Sequence, residues 1–81
     1  MLRVIKHEQD ADGFCVLIHD AAEKLSVWVD VWHRDGEVMS DWNKYIFYSN
    51  EDNIKDYQSD IDNFTECSNE AINYLEKLDL I

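Results

Sequence analysis

Residues 14 to 33 constrain the fold before any other part of the chain. Phe14, Val16 and Ile18 fall on alternate positions, and after a polar break Leu25, Val27, Val29 and Val31 do so again. Successive side chains of a strand point to opposite faces, so each run is a strand with one continuous apolar face. Asp20-Ala21-Ala22-Glu23 between them is a loop. With His19 opposite Lys24, Ile18 faces Leu25, Val16 faces Val27 and Phe14 faces Val29, which puts six core residues on one side of a hairpin.

The neighbouring segments extend that sheet. Residues 2 to 7 read as a short strand, and Gln9-Asp10-Ala11-Asp12-Gly13 gathers turn formers for a reversal into the next one. The third strand runs from about Leu25 to His33, and Arg34-Asp35-Gly36-Glu37 supplies a turn. A two-residue type I′ loop at Asp35-Gly36 sets Val31 opposite Ser40, Val29 opposite Trp42 and Leu25 opposite Ile46. A three-residue loop with Gly36 in a bulge shifts the fourth strand by one and exchanges its faces, and the two-residue loop is favoured over it. The reverse face then collects Trp28, Asp30 and Trp32 with Met39, Asp41, Asn43, Tyr45 and Phe47.

After Tyr48 the pattern changes. Ser49-Asn50-Glu51-Asp52-Asn53 stops the strand, and Ile54 and Tyr57 anchor a short helical or irregular link. Ile61, Phe64, Cys67, Ala71, Ile72, Leu75 and Leu78 recur at spacings of three and four, the mark of an amphipathic helix, with Ser59 as its expected N-cap. Four antiparallel strands cannot hide one apolar face alone. The expectation is therefore a single α+β domain over residues 1–81: a four-stranded antiparallel meander packed by one long C-terminal helix, in β-β-β-β-α order and two layers.

Charge limits what such a domain can bind. Of 81 residues 18 are acidic and 7 basic, a formal net charge of −11. Seven scattered cations cannot neutralise a row of phosphates, so direct binding of nucleic acid is excluded, and anionic membranes are disfavoured. No segment resembles a signal peptide or a membrane span, so a cytoplasmic protein is expected, with Cys15 and Cys67 as buried thiols.

Catalytic and metal motifs are absent from the pattern. Two glycines make no phosphate cradle or nucleophile elbow. Cys15 and His19 share a strand face but lie about 13 Å apart along it, too far for a nucleophile and its base. His7, His19 and His33 lack ligand spacing. The Asp10-Ala11-Asp12-Gly13 run has its glycine too early for a calcium loop and no glutamate at the required distance. Asp60, Asp62 and Glu66 complement a helix dipole. Neither catalytic residues, nor a cofactor, nor a metal is expected.

The acids themselves carry the functional reading. Residues 50–81 hold nine of them against Lys55 and Lys77. Asp62, Glu66 and Glu70 follow at four-residue spacing, about 6 Å apart along a helix axis. Such a row costs a few tenths of a kcal/mol per pair, yet it approximates the pitch of phosphates on a nucleic-acid strand. On the sheet, Trp28, Trp32 and Tyr45 beside Asp30 and Asp41 form an aromatic, acidic face suited to arginine.

In type, as a small acidic single-domain chain, the protein resembles the phage-encoded inhibitors of restriction, BREX or CRISPR defence. It is similar for the same electrostatic reason to immunity proteins that neutralise basic nucleases. That resemblance implies a non-enzymatic, partial nucleic-acid mimic that inhibits a basic, nucleic-acid-handling protein. Its expected contacts are Trp28, Asp30, Trp32, Asp41, Tyr45, Asp62, Glu66 and Glu70. A structural homodimer through the Trp28 and Trp32 face is the alternative.

Overall fold

The computed structural model describes residues 1–43 and 51–81, the side chains of 51–53 aside. The strands are β1 Leu2–Gln9, β2 Gly13–Asp20, β3 Leu25–Arg34 and β4 Glu37–Trp42, and the helices are α1 Glu51–Ser59 and α2 Ile61–Lys77. The sheet is an antiparallel meander in the order β1-β2-β3-β4. The expected α+β architecture is therefore present, with α1 as a further helix ahead of the long one. Sequence positions 45 to 47, where the sequence places Tyr45 and Phe47 on the reverse face and Ile46 opposite Leu25, lie outside the described residues.

The β3–β4 turn follows the two-residue reading. Arg34 pairs with Glu37, Val31 with Ser40 and Val29 with Trp42. Asp35 and Gly36 both take positive φ, 52° and 82°, as a type I′ turn requires. The β2–β3 hairpin differs from expectation by two residues. Asp20 pairs with Leu25, Ile18 with Val27, Val16 with Val29 and Phe14 with Val31. A shift of two keeps every side chain on its face, so the core is unchanged while each partner moves. Asp20 is the physical reason: its Oδ1 accepts from the N–H groups of Ala22 and Glu23, closing the loop around itself, and Lys24 turns the chain at φ 56°.

The core lies between the sheet and α2. Val16, Ile18, Val27, Val29, Val31, Cys67, Ala71 and Leu75 are fully buried, each having lost the apolar hydration that drives folding. Alpha-1 closes one end with Ile54 and Tyr57, and Trp42 packs edge-on against Phe64 at 5.2 Å while its indole N–H donates to the Gln58 carbonyl at 3.1 Å. The N-cap of α2 is Asp60, not Ser59, and its carboxylate accepts from Asp62 N. Ser59 instead donates back to the Asp56 carbonyl in the last turn of α1, so its hydroxyl is already engaged. Ile61, expected in the apolar stripe, sits in the first turn and is 71% exposed.

Candidate functional site

Two carboxylate arrays flank this core from opposite layers. The first is on α2, where Asp62, Glu66 and Glu70 are exposed as the spacing predicts. Their side of the helix is fixed by its other face: Cys67, Ala71 and Leu75 are drawn onto the sheet, which turns the acids outward. Among the described residues the ion pair found is Lys6–Glu8 at 3.4 Å, so the row is not neutralised by neighbouring cations. More acids gather where α1 meets α2: Glu23, Asp56 and Asp60 line a shallow recess with Leu25, Tyr57 and Asn63.

The second array is on the reverse face of the sheet. Asp30 stands opposite Asp41, as the register required, and Trp32 opposite Met39. Asp41 is exposed, and Asp30, Trp32 and Met39 are half-buried. Trp28 is not available as an open platform: it keeps only 8% of its surface, and the Lys6 ammonium lies 5.4 Å from its ring centroid. The structure thus brings Asp30, Trp32 and Asp41 together on one face and keeps them apart from Asp62, Glu66 and Glu70. Tyr45 lies outside the described residues.

Sequence reasoning missed a polar cluster at the end of this face. Cys15 pairs with Asp30 across β2 and β3, and the β1–β2 turn folds Asp10 over the same spot. The Cys15 thiol lies 3.3 Å from Asp10 Oδ2 and 3.2 Å from Asp30 Oδ1, its one proton shared between two carboxylates. Asn43 Nδ2 donates to Asp30 Oδ1 at 2.8 Å. Burial, then the hydrogen bonds and charges of Asp30 and Asp10, pushes the thiol up from 9.0 to about 12. Burial works against the Asp10 carboxylate as well, but the Cys15 thiol and the N–H groups of Asp12 and Gly13 outweigh it and hold this acid below its usual range. Donor atoms of Asp10, Cys15 and Asp30 lie within 4.8 Å of one another, the one grouping among the described residues with metal-ligand chemistry. It holds a protonated thiol, so it is a hydrogen-bonded cluster as it stands.

Beside this cluster is an open cleft of about 590 Å³. One wall is the turn Asp10 to Gly13, and the other is the end of β3 from Asp30 to Arg34, with Phe14 between. Gly13 lets the start of β2 lie tight against β3 at this end. A Cβ there would lie 2.2 Å from the Val31 carbonyl oxygen, a backbone atom that cannot yield.

Other polar side chains are engaged in contacts within the fold. Tyr57 donates to Asp20 Oδ2 at 2.8 Å and contacts Cys67 Sγ at 3.4 Å, a buried trio that joins the helices to the β2–β3 turn. Burial raises the Tyr57 hydroxyl and the Cys67 thiol above their ordinary ranges, so both stay protonated at neutral pH. His7 is held by Tyr74 at 2.7 Å and His19 by Ser26 at 2.9 Å. No family model, curated protein or solved structure matches the chain, so the site is read from its own chemistry. No helix among the described residues is long and apolar enough to cross a membrane.

Proposed function

We propose that this chain is a non-enzymatic inhibitor that binds a basic, nucleic-acid-handling protein, with the carboxylates of α2 standing where that protein takes phosphates. The observation that carries the reading is the exposed row Asp62, Glu66 and Glu70, held on a rigid helix without cationic neighbours in ion-pair range among the described residues. A row at about 6 Å pitch presents charge to a lysine- and arginine-lined groove without reorganisation, and its long-range field speeds encounter. An anti-defence inhibitor of the phage type and an immunity protein for a basic nuclease make the same electrostatic demand. The identity of the captured protein separates them.

The test is affinity capture from the native cell or its host at low and moderate salt. Reversing Asp62, Glu66 and Glu70 to lysine is expected to weaken capture about tenfold or more and to flatten its salt dependence, with circular dichroism unchanged. Capture that is indifferent to both salt and the reversal overturns the reading. The half-exposed Trp32 and Met39 support self-association as a second use of the sheet face. A mass in solution of one chain, equal in the wild type and in Trp32→Ser, removes it.

A further inference from the structure

We infer that the cleft between the β1–β2 turn and the end of β3 receives an arginine side chain of the basic partner, its guanidinium laid against Trp32 and bonded to the carboxylates of Asp10, Asp12 and Asp30. This rests on the reading above, because it names the group that such a partner presents, and it assigns that group to the sheet face instead of the helix.

Charge is the first argument. Three carboxylates line the cleft against Arg34 and His33, and none of these five residues is in an ion pair among the described residues. Asp10 and Asp30 bring carboxylate oxygens within 4.8 Å of each other, with a single thiol proton between them. Two anions that close repel, and an incoming cation removes the repulsion in addition to forming its own bonds. Shape is the second. Trp32 is half-buried and lines the cleft on the sheet face that carries Asp30. A planar guanidinium stacks on such a ring and donates in two directions at once, whereas an ammonium is a strongly hydrated point charge. Preorganisation is the third. Asp10 Oδ1 accepts from Asp12 N at 3.0 Å and Gly13 N at 2.8 Å, and Asp10 N donates to the Gly13 carbonyl at 2.9 Å, so the acidic wall is fixed before a ligand arrives.

Fluorescence anisotropy of labelled nona-arginine and nona-lysine on the whole protein tests the assignment. The wild type is expected to hold the arginine peptide about tenfold more tightly. Trp32→Leu, which changes no charge, and Asp12→Asn, on the exposed turn, are each expected to bring the arginine peptide down toward the level of the lysine peptide. Equal affinities in the wild type overturn the inference, as does a preference that survives in both variants while each remains folded. If the two peptides bind equally and the Asp62/Glu66/Glu70 reversal weakens both, the cleft assignment fails and the proposed function stands. Absence of binding at low salt defeats both. A wild-type dimer that Trp32→Leu dissociates places a second copy in the cleft and also overturns the inference.

Discussion

The two faces of this one sheet are built from the same strands by opposite rules. Toward α2, β2 and β3 present Val16, Ile18, Val27, Val29 and Val31, a surface with no polar atom to satisfy. On the other side, one residue along each strand, they present Cys15 and Asp30, tied to Asp10 and Asn43 by hydrogen bonds. The first face gains free energy in proportion to area and tolerates any register that keeps parity. The second depends on individual partners, because a half-buried carboxylate without its donors is costly. Apolar burial is thus concentrated on one face, while charge is retained on the other.

That contrast can be broken experimentally, beginning with the dry side. Leu75→Ala removes a fully buried side chain from α2 and is expected to cost about 2–5 kcal/mol in a urea unfolding curve. A loss below about 1 kcal/mol, the scale of a methylene, means that the helix is not the cover of the core. Tyr57→Phe leaves the buried Asp20 carboxylate without its phenol donor and is expected to cost about 1–3 kcal/mol by the same measurement.

The polar face responds to pH. Because the fold raises the Cys15 thiol from 9.0 to about 12, the stability it lends is intact below pH 9.0 and is lost as pH climbs toward about 12. Cys15→Ala is expected to flatten the alkaline limb of a stability–pH curve, and an unchanged limb places the titration elsewhere. The smallest effect belongs to α2. Neutralising Glu66 to Gln is expected to raise stability by a few tenths of a kcal/mol at low salt, since it relieves repulsion toward Asp62 and Glu70, and by less at high salt.

Much of the dry face was legible because alternation and helical spacing are local patterns. Val29 opposite Trp42 follows from the Asp35-Gly36 turn chemistry, and Cys67, Ala71 and Leu75 follow from their period. The polar cluster was hidden by the same property that made the core easy. Pairing His19 with Lys24 satisfies every apolar contact yet sets Cys15 opposite Trp28; the observed register, two residues on, sets it opposite Asp30. Only the Asp20 carboxylate, which closes its own loop and binds Tyr57 from 37 positions away, distinguishes the two. Helix α1 was legible only as a short helical or irregular link anchored by Ile54 and Tyr57, because these two give one spacing of three, too little to define a period. The exposed row on α2 was plain in the sequence, and the Asp10–Cys15–Asp30 convergence had no spacing to announce it.

The meander has a kinetic corollary. Every strand neighbours the one before it in the chain, so each pairing closes over a loop of two to four residues and little chain entropy is lost at any step. The type I′ reversal between β3 and β4 is a local seed for zipping. Refolding is accordingly expected in about the millisecond range, fast enough that a newly made chain exposes its aromatic strands only briefly.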